Sequence, residues 1–363
     1  MNKDAISTSQ LTTLVISYTL GSSLVLSSSN AVVRSGWVVV LLGTLEGLLI
    51  AWLYMALAER FQHRSLVQMT QQVFGQVLGA VPALLFIWFM LQLGGLVLGN
   101  FGDYFEITVL QRTPTAWFEI PLALAAVYAV RRGIGTLART ATIVLPITVF
   151  LVVMTSALLV PKMTTGNIFP LIDVGLGELL LGAHGSGMFP FGEAVVFLMV
   201  LPHLPRRSNA RRPVQTGLLL AGLLLTLGTF RNIAVLGAAV KNTVFPSFVA
   251  TRLIEVGEVI TRVELLSAIN FLTMGFVKVA VLIYGSTSGL AQVFGLKSHQ
   301  PLVLPVGLLM VVLANSGFEH GFAENVVFIT DAWPYYAPLF VIGLPLLLWV
   351  GALVRRQPRE EKK

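Results

Sequence analysis

Long apolar runs separated by short polar connections dominate the chain from end to end. A helix needs about 20 mostly apolar residues to cross a bilayer, and fewer where neighbours shield it. By that measure the sequence predicts ten spans, at 11–33, 36–58, 82–101, 116–130, 140–160, 179–201, 214–240, 265–295, 301–316 and 333–354. The fourth and ninth are short, and the eighth is long enough to tilt or project. Two connections show amphipathic helical spacing instead. Ser65 to Gly75 puts Leu66, Met69 and Val73 on one face, with Gly75 as a stop. Phe248 to Arg262 gathers Leu253, Val256 and Ile260, while Glu255, Glu258 and Arg262 point elsewhere. Both read as helices at the membrane interface, and the second also as a lid over a binding site.

Composition turns this pattern into a class. Of 363 residues, 11% are charged and 55% hydrophobic, against roughly 25% charged in a soluble domain. The solvent of such a chain is largely lipid, so the fold class is an all-α integral membrane protein. The formal charge of +7 does not describe a nucleic-acid surface, because the basic residues fall in short clusters between apolar runs. Ten spans place 16 Lys or Arg on the side of the termini and 6 on the other. That bias predicts both termini in the cytoplasm. The start of the chain lacks a cleavable signal pattern, so the first apolar segment is expected to be retained. There is no cysteine, the five His show no metal-ligand spacing, and neither a phosphate loop nor a nucleophile elbow occurs. Neither catalysis nor a cofactor is expected. Residues 1–363 read as a single transmembrane domain, ending in a short basic tail at 355–363.

Two spans resist regular helix at mid-membrane depth. The first holds Gly21-Ser22-Ser23 and then Ser27-Ser28-Ser29-Asn30; the sixth holds four glycines and a proline between Gly182 and Glu193. Glycine weakens helix, Ser and Asn side chains compete for backbone hydrogen bonds, and Pro190 cannot donate one. Unpaired backbone groups survive in a membrane only where they line a protein cavity. Breaks in spans one and six, each opening a group of five, predict a five-plus-five inverted repeat with a site at the midplane. The repeats would cover 11–160 and 179–354. Freed N–H groups at Gly21, Ser22 and Ser23 would hold a carboxylate, and freed carbonyls at Gly185, Ser186 and Gly187 an ammonium, with Phe189 as a wall. An α-amino acid carries both charges. Small-residue stripes through Gly95, Gly99 and Gly102, and through Gly275, Gly285 and Gly289, fit helix packing better.

Four charges fall within spans: Glu46, Glu193, Arg231 and Lys278. Each needs water, a partner or neutralisation. Lys278 reads either as a positive charge beside the broken first span, standing where sodium-coupled transporters hold a sodium ion, or as half of a register-fixing pair with Glu193 or Glu46. Arg231, near a span end, is expected to snorkel outward.

The stretch from Phe189 through Pro190, Phe191, Gly192 and Glu193 to Met199 resembles the signature of the B subunit of bacterial spore germinant receptors. The segments Leu253 to Glu264, Phe276-Val277-Lys278-Val279-Ala280 and Gly289 to Phe294 add to the resemblance, which covers nearly the whole chain. It implies the broken-helix fold of the amino acid/polyamine/organocation transporter superfamily. It also implies a nutrient sensor in the spore inner membrane, responding to a small molecule such as an amino acid, with A and C subunits as partners. An active amino acid or polyamine transporter on the same scaffold is the competing reading, and a purely structural assembly subunit a third.

Overall fold

The computed structural model describes residues 4–26, 34–62, 64–205, 208–254, 262–316 and 322–355. Among them there is no strand. Fourteen α-helices follow in order: α1 (Thr8–Leu20), α2 (Gly36–Arg60), α3 (Leu66–Phe74), α4 (Gln76–Thr108), α5 (Ala116–Arg131), α6 (Ile134–Leu159), α7 (Leu176–Ser186), α8 (Arg211–Leu236), α9 (Pro246–Arg252), α10 (Leu265–Val293), α11 (Gln300–Ser316), α12 (Phe322–Val327), α13 (Trp333–Pro338) and α14 (Leu344–Val354). Six stretches are long and apolar enough to cross a membrane: Gly36–Arg60, Gln76–Thr108, Ile134–Lys162, Arg211–Asn242, Leu265–Val293 and Phe328–Val354. Gln300–Ser316 is apolar but shorter. The first and sixth predicted spans are absent from that set because neither is one continuous helix.

The outer surface is apolar, as lipid requires: Leu49, Trp117, Ile143 and Phe150 all stand exposed. Buried polar residues are most numerous along α10, at Ser267, Asn270, Lys278, Ser286, Thr287 and Ser288, with others on α1, α6 and α8. α10 is the axis of the bundle, packed against α1, α4, α5, α6 and α11. Small residues set these contacts. A Cβ at Gly289 would come within 2.9 Å of Ile87, and one at Gly95 within 2.8 Å of Leu313. Both expected stripes therefore serve close helix approach.

Local signals explain the helix ends. Ser65 caps α3, accepting from the Gln68 N–H while the Gln68 side chain accepts from the Ser65 N–H. Gly75 stops it at φ 86°, a conformation glycine adopts freely. Leu66, Met69 and Val73 are buried, as their shared face predicts, and Ser65 Oγ also donates to Gln292 of α10. Of the expected amphipathic stretch Phe248 to Arg262, only the first part is described. There the helix begins earlier, at Pro246, and buries Phe248, Ala250 and Thr251; Glu255, Val256, Glu258 and Ile260 lie outside the described residues.

Candidate functional site

Both expected breaks are present, and each has a local cause. α1 stops at Leu20, and Gly21 takes φ −6° and ψ −106°, outside any helical region. A Cβ there would lie 2.5 Å from Lys278 Cδ and 2.8 Å from the Tyr18 carbonyl oxygen, so only glycine fits. A single 3-10 turn follows at Ser22–Leu24. Ser27 to Asn30, the second half of the predicted break, lies outside the described residues.

The sixth segment breaks later than the glycines suggest. α7 continues through Gly182 and Gly185 to Ser186, and regular helix is lost at Phe189, with φ −126° and ψ 114°. Pro190 explains the position, because a residue before proline is pushed out of the helical region and proline itself donates no hydrogen bond. Beyond it the chain winds as a tighter 3-10 helix from Gly192 to Met199. The glycines before the break serve a helix contact. A Cβ on Gly43 of α2 would come within 2.6 Å of Ser186, and one on Gly187 within 2.5 Å of Glu46 Oε2.

Between the two breaks stands Lys278. Both it and Glu193 are fully buried, and Nζ lies 2.6 Å from Glu193 Oε2. Neither Glu193 oxygen meets hydrogen-bond geometry, so the contact is an ion pair more than an aligned hydrogen bond. Nζ also donates to Ser22 Oγ at 3.3 Å, and it faces the rings of Phe189 at 5.0 Å and Tyr18 at 5.3 Å. One ammonium thus joins the first break, the sixth break and α10. The alternative Lys278–Glu46 pair does not form; Glu46 Oε1 sits 2.7 Å from His184 Nδ1. The far nitrogen of His184, Nε2, lies 3.1 Å from the Pro334 carbonyl.

A cavity of only about 10 Å³ adjoins this centre, lined by Ser22, Val97, Asn100, Phe189, Ile329 and Trp333 among others. Of the residues singled out from sequence, Ser22 and Phe189 line it. Gly21 packs on Lys278, Ser23 faces a separate cavity, and Gly185, Ser186 and Gly187 face Pro334 and α2. Asn100 and Trp333 had no sequence signal, being single polar or aromatic residues inside apolar runs.

Tyr54 was equally invisible in the sequence. Its buried hydroxyl lies 2.9 Å from the Gly192 carbonyl and 2.7 Å from the Val341 carbonyl, fastening α2 to the far side of the sixth break and to the wide helical turn at Leu339–Gly343. Tyr54→Phe removes the single buried O–H that these two carbonyls share and is expected to cost about 1–3 kcal/mol. Thermal unfolding of the purified protein measures this; an unchanged midpoint would show that the hydroxyl is dispensable.

Arg231 does not snorkel. It is buried at 4% exposure and hydrogen-bonded to its neighbours inside the bundle.

An apolar bundle whose first and sixth segments unwind around a shared charged centre has the architecture of membrane transporters. Comparison with solved structures agrees. The chain superposes on MhsT in complex with L-phenylalanine with a TM-score of 0.67 at 13% identity, over 95% of this chain and 97% of that one. It superposes on Mhp1, a nucleobase-cation-symport-1 family transporter in a closed conformation with bromovinylhydantoin bound, with a TM-score of 0.69 at 13% identity, over 98% and 80%. Residues 5–316 match the family model described as spore germination protein, and the chain belongs to that family. It is similar to spore germination protein KB of Bacillus subtilis (strain 168), at 27% identity over 100% of this chain and 98% of the relative. Spore germination protein YndE of the same organism is 23% identical over 97% of each chain. Spore germination protein XB of Bacillus anthracis is 23% identical over 74% of this chain and 76% of the relative. The protein is thus a spore germination receptor-type membrane protein with a transporter-like fold.

Proposed function

We propose that the chain is the nutrient-sensing membrane subunit of a germinant receptor, taking a small molecule of the amino acid class at mid-membrane. The observation that carries this is the Lys278 centre, where two interrupted segments and a buried ion pair adjoin a cavity. Such breaks leave polar backbone groups in reach of a ligand only where the protein encloses a site. MhsT, of the same fold, is solved in complex with L-phenylalanine, which supports an amino acid as ligand. Binding would favour one arrangement of the two halves, 11–160 and 179–354, and pass to A and C subunits as a population shift. On this reading it is a multi-pass protein of the spore inner membrane with both termini cytoplasmic, an orientation that the positive-inside bias supports.

Mhp1 supports a second reading, since that neighbour is a transporter. Reconstitution separates the two. Purified protein in liposomes is offered a pool of tritiated L-amino acids. Saturable binding without accumulation is the expected outcome, whereas saturable uptake by the chain alone would assign it to transport. Absence of both would remove the amino acid class.

A further inference from the structure

Arg231 is a full positive charge inside the bundle, and among the described residues no carboxylate lies within ion-pair distance of it. Its Nε and Nη2 donate to Asn232 Oδ1 at 3.1 and 2.9 Å, and Nη1 donates to Thr155 Oγ1 at 3.1 Å. Both acceptors are neutral. Among the described residues, the ion pairs all fall elsewhere. A guanidinium stays protonated in proteins and has five N–H groups, so two remain for another acceptor. An interior charge left without an opposite charge is expensive, and selection for stability alone would favour an apolar residue here.

The guanidinium borders a small cavity of about 40 Å³ between the first break, α6, α8, α9 and α10. This cavity shares no lining residue with the one at Lys278. Its wall also carries Ser23 Oγ and Asn270 Oδ1, both buried and without a hydrogen-bond partner. Among the described residues, Arg231 is the only charged one of the lining. One positive charge matches one carboxylate, whereas a phosphate would bring surplus negative charge into a buried site.

We propose that this cavity binds a carboxylate-bearing small molecule, its carboxylate on the Arg231 fork and its second polar group at Asn270. Planar two-point contact with a carboxylate is what a guanidinium provides and an ammonium does not. The site is wired to the first break. Asn232 Nδ2 donates to Ser247 Oγ at 3.0 Å, and Ser247 Oγ donates at 2.9 Å to the Leu24 carbonyl, just past the broken turn. A carboxylate that draws on Arg231 therefore competes with Asn232 Oδ1 for the guanidinium and is felt, through α9, at the backbone of the break. The inference rests on the small-molecule reading above and adds a carboxylate site separate from the Lys278 centre.

The test uses the purified full chain in nanodiscs and chloride-free buffer, with thermal unfolding as readout. Sodium chloride, sodium acetate and each of the twenty L-amino acids are added in turn, followed by the carboxamide of any amino acid that acts. Acetate or an amino acid is expected to raise the midpoint, and chloride and the carboxamide are not. Arg231→Gln should weaken the effective compound at least about thirtyfold, the scale for removing one partner of a buried charge pair. Unliganded Arg231→Gln should unfold at or above the wild-type temperature, because it deletes an unmet charge; a purely structural arginine requires the reverse. Asn270→Ala leaves that charge in place and should weaken binding as well, which keeps the site testable should Arg231→Gln not fold. The site is refuted if no carboxylate shifts the midpoint, if chloride acts equally, or if the shift survives in both variants. Uptake in liposomes together with an Arg231-dependent shift would discard sensing and leave this site standing.

Discussion

Lys278→Met is expected to destabilise the protein by about 3–5 kcal/mol, because it strands a fully buried Glu193 carboxylate without its counter-charge. Glu193→Leu should cost a similar amount by stranding the ammonium, which keeps only Ser22 Oγ and two aromatic faces. The double variant is the decisive measurement. Replacing both partners with apolar residues of similar size removes two desolvation costs together, so it should recover most of the lost stability. Function should not return with it. If the Lys278 charge serves the nutrient site, spores carrying the stable double variant remain blind to nutrient. A double variant that is both stable and fully responsive would reduce the pair to a fixture of helix register.

The second large effect concerns Gly21. A Cβ at this position meets the Lys278 stem at 2.5 Å and the Tyr18 carbonyl at 2.8 Å. The side chain can yield, but the carbonyl belongs to the last turn of α1 and cannot. Gly21→Val is therefore expected to cost on the order of 3 kcal/mol, the upper range for overpacking, and to push the ammonium away from Ser22 and Glu193. Gly21→Ala should show the same loss in smaller measure. The check is a comparison of ligand binding with unfolding midpoint across the two variants. Wild-type values in Gly21→Val would mean that the break carries no close contact.

The first break was readable because its cause is local. Gly21, Ser22 and Ser23 disfavour helix by their own chemistry, and no distant residue is needed to expect a stop there. Pro190 acts the same way on Phe189. The glycines at 182–187 could not be placed by that logic. Whether a glycine opens a helix or lets another helix close on it depends on what arrives opposite, and Gly43 and Glu46 arrive from about 140 positions away in the chain. Arg231 was misplaced for a related reason. Nearness to a span end favours snorkelling, yet Thr155, Asn232 and Ser247 surround the guanidinium with acceptors and a hydrogen-bond chain that only the folded bundle assembles. The long apolar helices needed no such information, since their length and composition are properties of contiguous sequence. The Tyr54 anchor needed all of it, because its two carbonyls come from segments 138 and 287 positions distant.

Ser22 and Ser23 are neighbours in the chain, and each borders a different chamber. The turn they share is fixed at the Ser22 hydroxyl by an ammonium and at the Leu24 carbonyl by the chain of hydrogen bonds from Arg231. A guest that displaced this turn would be felt in both rooms, each occupant then setting how readily the other is admitted.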